Sequence, residues 1–385
     1  MKLKNRFRPR FEQLEDRWTP AVDILFDGAN LAVTGNPGSA LTITQNAADV
    51  TVSGVDAAGA YSFGPYAVTG NVSARLSNAI IGRTITLAFG VNATSGSWSV
   101  NSGNSSAATD FVITGTGAVT GDLSVVGGNG VSTLSATGID VNGSVSIDLK
   151  GGADTISNLF TDADSVIGGN VTLRNVNTLG SGAVANALNG AIGGSLTIDN
   201  SADPGNPNIY RVSPVSVGGN VMMRGSITSD SVTELSGNVA GNGVVVLSNG
   251  INAVVGNTAT FLGSFTYLGG NNTDVFNASA TSSVAGNMTI NLGNGANTAV
   301  LANTVLGRQV NIRGGNQVDF VNLTGDFAAV GARLSAFLGN GSDTFSAPDL
   351  GPTDLASLYI DFGNAPDTYI APTIAPTFRV TLRNK

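Results

Sequence analysis

Between about Thr116 and Tyr369 the chain returns again and again to one short pattern: a Gly, then a stretch in which polar and apolar residues alternate. Gly143-Ser144-Val145-Ser146-Ile147, Gly169-Asn170-Val171-Thr172-Leu173, Gly194-Ser195-Leu196-Thr197-Ile198 and Gly286-Asn287-Met288-Thr289-Ile290 are instances. Apolar residues at the second and fourth positions after the Gly, with a polar one between, have the period of a strand with one buried face. The leading Gly positions are 121, 143, 169, 194, 219, 237, 263, 286, 307 and 331, so the intervals lie between 18 and 26 residues. A second register follows each Gly by about half a unit. It comprises Asp154-Thr155-Ile156, Asp230-Ser231-Val232, Asp274-Val275-Phe276, Asn297-Thr298-Ala299, Asp319-Phe320-Val321, Asp343-Thr344-Phe345 and Asp367-Thr368-Tyr369. Gly and Asn turns such as Gly293-Asn294-Gly295 and Gly339-Asn340-Gly341 stand just upstream. Each unit therefore holds at least two short strands joined by Gly/Asn corners.

One such unit cannot bury its own apolar residues, whereas stacked neighbours can, so the expected fold is all-β. The pattern predicts a parallel β-helix (β-solenoid) with coils of about 24 residues over 116–370. Gly and Asn suit corners that need left-handed backbone, and stacked Asn side chains can bond from coil to coil. Ten to twelve coils at roughly 4.8 Å each give a rod of about 50 to 60 Å. An antiparallel β-sandwich is the alternative, but its hairpin strands would recur every 8 to 12 residues or so. Residues 22–115, with strand-like runs such as Ala40-Leu41-Thr42-Ile43-Thr44, read as an irregular β cap. Residues 371–385 read as a tail; Pro366, Pro372 and Pro376 with Arg379 and Arg383 are expected to limit growth of the stack.

Composition narrows the chemistry. Only 11% of residues are charged, 42% are hydrophobic, 52 of 385 are Gly, and there is neither Cys nor His. That removes disulfides, Cys or His zinc sites, Cys nucleophiles and Ser-His-Asp catalysis. Net charge is −8, yet residues 1–17 carry Lys2, Lys4, Arg6, Arg8, Arg10 and Arg17, so the remainder is more acidic still. An acidic body with scattered Arg repels phosphate backbones, which argues against nucleic acid as a partner. No apolar run approaches the roughly 18 residues of a membrane-spanning helix.

The first 21 residues form a basic tail without the apolar segment of an ordinary signal peptide. Within it, Phe11-Glu12-Gln13-Leu14-Glu15-Asp16-Arg17-Trp18-Thr19-Pro20-Ala21 resembles the FExLEDRxxPA segment near the start of many large exported or surface proteins of planctomycete bacteria. The resemblance covers these 11 residues and rests on Phe11, Leu14, Glu15, Asp16, Arg17, Pro20 and Ala21. It implies export to the cell surface or beyond, with the tail acting as a sorting signal outside the folded rod.

The repeated carboxylates are the one recurring ionisable feature. Their Gly-rich surroundings resemble the calcium-binding nonapeptides of RTX proteins, and by that resemblance Asp154, Asp230, Asp274, Asp319, Asp343 and Asp367 are calcium candidates. RTX units repeat every nine residues, however, and one carboxylate per coil falls short of the six to eight oxygens calcium takes. Asp capping its own turn is the simpler reading, with no cofactor required. β-Helix folds also host polysaccharide lyases and glycosidases, which need convergent acidic and basic groups. Asp162 with Asp164, and Arg308 and Arg313 near Asp319, are the nearest approach, and each is equally explained as surface charge. Trp98, Tyr61, Phe63 and Tyr66 are expected to fill the end of the core rather than form a sugar platform. The expected function is a non-catalytic structural or adhesive repeat protein of the cell exterior, with envelope or extracellular polysaccharide, or another surface protein, as partner.

Overall fold

A computed structural model describes residues 22–91, 96–160, 165–179, 188, 190–202, 207–278, 282–325 and 331–384. All regular structure among them is β, arranged as a parallel β-solenoid. The alternating stretches after each leading Gly become four-residue strands such as Leu123–Val126, Val145–Asp148, Val171–Arg174 and Leu196–Asp199, stacked in one 16-stranded sheet. The strands that begin at or just after the Asp/Asn positions, such as Asn297–Ala302 and Asp319–Thr324, stack in a second sheet. From Val72 onward, successive strands of the first sheet lie 22 to 26 residues apart, and about 12 turns of roughly 23 residues separate Trp98 from Val380.

Alternation decides which side chains go inside. In Val171–Arg174 and Val221–Arg224 the first and third residues are buried and the second and fourth face outward. The core between the two sheets is a continuous file of Val, Leu, Ile and Phe. Trp98 is buried within it, with its ring edge-on to Phe89 at 4.6 Å. Tyr61 and Tyr66 lie half-buried at the N-terminal end.

The repeat is longer than its sequence pattern suggested, in both directions. Parallel pairing starts at Leu31–Gly35 with Val72–Leu76, inside the stretch expected to be an irregular cap. Here one turn spans 41 residues, because the antiparallel strands Asp49–Asp56 and Gly59–Ala67 are inserted into it. Among the described residues the antiparallel pairings are Val22–Phe26 with Leu31–Gly35, Ala40–Asn46 with Asp49–Asp56, and Asp49–Asp56 with Gly59–Ala67. At the other end Arg379–Arg383 is no tail: it pairs in parallel with Ser357–Asp361, its alternating Val380 and Leu382 turned toward the core.

The true Gly column also differs from the expected one. Backbone N–H groups of Gly96, Gly121, Gly143, Gly169, Gly194, Gly219, Gly241, Gly263 and Gly286 each donate to the carbonyl one turn earlier in the same column. Gly241, not Gly237, continues it, which converts the uneven 18 and 26 into two turns of 22. Beyond Gly286 the column passes to Arg308 and Ala332, one residue after the Gly307 and Gly331 of the sequence pattern. Close approach explains the Gly: a Cβ on Gly143 would stand 2.5 Å from the carbonyl oxygen of Gly121, and one on Gly241 2.6 Å from that of Gly219.

Candidate functional site

The second sheet brings the repeated carboxylates into a single column where the chain turns in from the first sheet. Unbroken register carries it through Thr109, Ser132, Asp154, Asn177, Asn208, Asp230, Asn252, Asp274, Asn297, Asp319, Asp343 and Asp367. All are buried except Asp367, which is half-buried. Asn177, Asn208 and Asn252 were not singled out in the sequence. Their signal is arithmetic: 230 to 274 is two turns, with Asn252 at the midpoint.

The side chains of Asp154, Asn177, Asn252, Asp274, Asn297, Asp319, Asp343 and Asp367 each accept a backbone N–H from the turn before. Asp154 N–H donates to Asn177 Oδ1 at 2.8 Å, Asp230 N–H to Asn252 Oδ1 at 3.1 Å, Asp274 N–H to Asn297 Oδ1 at 2.9 Å and Asp319 N–H to Asp343 Oδ1 at 2.8 Å. Asn208, Asn252 and Asn297 do more, since their NH2 groups donate to the carboxylate that follows. Asn208 reaches Asp230 Oδ1 at 2.5 Å, Asn252 reaches Asp274 Oδ1 at 2.8 Å and Asn297 reaches Asp319 Oδ1 at 2.9 Å. Gly270 and Gly315 N–H groups take the second oxygens of Asp274 and Asp319 at 2.8 and 2.9 Å. The turn-capping role expected of Asp is thus present, joined to bonding between turns. Gly is required beside it, because a Cβ on Gly314 would lie 1.9 Å from Asp319 Oδ2.

Burial raises these carboxyls against the hydrogen bonds that lower them: Asp230, Asp274 and Asp319 are pushed up to about 6. The alternation of Asp and Asn fails after Asp319, where Asp343 and Asp367 follow with no amide between. Asp343 is pushed up to about 7, chiefly by burial, with the neighbouring Asp319 and Asp367 carboxylates adding to the rise. Its Oδ2 has no hydrogen-bond partner among the described residues.

This donor set does not suit calcium. The six candidates are spread along the column, four Asn interrupt them, and the groups aimed at the carboxylates are N–H donors rather than further oxygens. Among the described residues no group of three or more His, Cys, Asp or Glu is placed to hold a metal ion. The column is a polar seam that holds turn to turn.

Two further columns run along the surface. Asn249, Asn271, Asn294, Asn316, Asn340 and Asn364 form an exposed ladder, each NH2 donating to the Oδ1 of the previous residue at 2.8 to 3.2 Å. After the Gly column, Asn30, Asn71, Ser97, Asp122, Ser144, Asn170, Ser195, Asn220, Asn242 and Ser264 each accept the backbone N–H of the next turn.

Arg308 and Arg313 do not meet Asp319. Arg313 belongs to the first sheet, opposite Asn291 and Phe337. The one ion pair among the described residues joins Arg211 to Glu234 at 2.8 Å. Asp162, Asp164 and the segment Phe11 to Ala21 lie outside the described residues. The fourth outward position of the first sheet stacks Asp148, Arg174, Asp199 and Arg224 on successive turns, a juxtaposition the sequence did not suggest. No helix of the described residues is long and apolar enough to cross a membrane. No protein-family model, no curated protein and no solved structure matches the chain.

Proposed function

We propose that the chain is a non-catalytic structural or adhesive rod of the bacterial exterior, presenting its sheet faces to polysaccharide or to another surface protein. The observation that carries this reading is where the ionisable groups went: the repeated carboxylates are inside, spent on holding turns together. The outward column Ser73, Ser99, Ser124, Ser146, Thr172 and Thr197 offers instead a row of hydroxyls, one per turn. Export is part of the proposal, supported by the resemblance of Phe11 to Ala21 to the planctomycete sorting segment.

A second reading, cleavage of polysaccharide, draws on the stacked Asp148, Arg174, Asp199 and Arg224, since lyases and glycosidases need acidic and basic groups together. A glycan array run beside a reducing-sugar release assay separates the two. Binding without release supports the adhesive rod. Release that Asp148→Asn or Asp199→Asn abolishes would replace it with the enzyme. Fractionating the native host expressing the full chain or a version starting at Val22 tests export: only the full chain should leave the cytoplasm.

A further inference from the structure

Apolar side chains that touch the core yet remain half-buried gather at the two ends of the stack: Ile24, Phe26 and Tyr61 at one, Tyr369, Val380 and Leu382 at the other. Among the described residues each end finishes in strands that pair on one side only. Val22–Phe26 and Gly59–Ala67 close the N-terminal end, and Arg379–Arg383 and Thr368–Ile370 close the C-terminal end.

The ends are stepped, and the steps are complementary. At the C-terminal end the first sheet stands one strand ahead of the second, because Arg379–Arg383 follows Thr368–Ile370 in the winding. At the N-terminal end the second sheet stands ahead. Beyond the turn formed by Leu31–Gly35 and Ala40–Asn46, the first sheet adds one strand and the second adds two, Asp49–Asp56 and Gly59–Ala67. One end set on the other brings both sheets into contact at once.

Register makes the fit specific. An unbroken column links Phe26 through Leu31 to Val380. Adding one more strand in these columns sets Phe26 against Val380, Ile24 against Leu382, and Asp23 against Arg383, with Asp27 facing Arg379. Apolar residues meet on the core side, and opposite charges meet on the solvent side. In the second sheet the corresponding column links Tyr61 to Tyr369. Pro65 lies beyond the residues that would face Thr368–Ile370 and does not interrupt the pairing.

We propose that the C-terminal end binds the N-terminal end of a second copy of this chain, continuing both sheets. Because the two surfaces differ, the contact is head-to-tail and does not close, so it propagates into a filament. This goes beyond the adhesive reading, since it concerns the ends and holds whichever face binds a ligand.

Sedimentation velocity and electron microscopy of the full chain at low ionic strength test it. Rods whose lengths are multiples of about 77 Å are expected, from sixteen strands of the first sheet at roughly 4.8 Å, and added salt should shorten them. Asp23→Arg alone and Arg383→Asp alone should each weaken association roughly 3- to 30-fold by setting like charges across the contact. Both positions are exposed, and circular dichroism checks that each variant folds. Mixing the two variants should restore rods, since each reversed end then meets an opposite charge. A wild-type chain that stays monomeric at its highest soluble concentration would overturn the proposal, with Arg379 and Arg383 then serving to keep the edge unpaired. Rods unaffected by either reversal, or a mixture that fails to recover, would overturn the register.

Discussion

Asp343 is pushed further from its ordinary value than Asp230, Asp274 and Asp319 in the same column, and replacing it by Asn should stabilise the protein at neutral pH. Its carboxyl is pushed from the ordinary 3.8 up to about 7. As pH rises through the unfolded value, the unfolded chain releases its proton while folded Asp343 keeps it, so stability falls between about pH 4 and pH 7 and levels off above. Three units at about 1.4 kcal/mol each set a ceiling of about 4 kcal/mol. Water at the nearby C-terminal end screens part of this, leaving an expected gain of about 1–2 kcal/mol for Asp343→Asn at pH 8 and none near pH 4. The amide has precedents in the same column. Asn297 Oδ1 accepts the Asp274 N–H while its NH2 donates to Gly295 O at 2.6 Å and Asp319 Oδ1 at 2.9 Å. Gly339-Asn340-Gly341 and Asp367 offer Asn at 343 the equivalent partners. Hydrogen exchange over 333–347 is the assay, because a solenoid opens turn by turn rather than all at once. Protection should rise about 5- to 30-fold at pH 8. A variant that loses protection at every pH, or a wild type that gains stability from pH 5 to 8, would refute the reasoning.

The reverse change, Asn297→Asp, sets three carboxylates in a row from Asp274 to Asp319 and removes an NH2 donor; melting should show a loss of about 1–3 kcal/mol at pH 7 that shrinks on acidification. Gly339→Ala should cost at least about 2 kcal/mol, since Gly339 has φ +100 and its Cβ would stand 1.7 Å from Gly315 O. Trp98→Ala should cost about 3–5 kcal/mol through the cavity it leaves beside Phe89, and an exposed-aromatic role for Trp98 would predict almost no change. Adding a chelator should leave the melting temperature where it is; a drop of tens of degrees would make the column carboxylates calcium ligands after all.

The part of the fold that could be read from the sequence is the part where one turn has one length and one chemistry. Gly169, Gly194, Gly219, Gly263 and Gly286 stand out because the backbone of the previous turn approaches closely where a Cβ would sit and the same alternation follows each. The reading slipped where a second feature masked the first. Gly237, within the ten-residue strand Asp230–Val239, displaced Gly241, and the inserted pair of strands after Asn46 stretched one turn to 41 residues, hiding the N-terminal turns. Three prolines before Arg379 disguised the last strand as a tail, although Pro is absent from the strand itself. The carboxylate column was visible, but its neutral members were not. Asn177, Asn208 and Asn252 became recognisable only when register placed them in one column with the carboxylates, where Asn177 donates to Asn208, Asn208 to Asp230 and Asn252 to Asp274. The stack of Asp148, Arg174, Asp199 and Arg224 lay at strand ends one turn apart, where nothing local in the sequence links them.

Inter-label distances along one outward column test the continuous parallel stack most directly, and the absence of native Cys allows single pairs to be introduced cleanly. Ser124 shares its column with Met222, Thr266, Thr289 and Ser335 at four, six, seven and nine turns. Spin labels on Ser124 paired with each in turn should give distances near 19, 29, 34 and 43 Å, rising linearly by about 4.8 Å per turn. Distances that fail to grow with turn number, or that fold back on themselves as they would in an antiparallel sandwich, would contradict the solenoid and every column built on it.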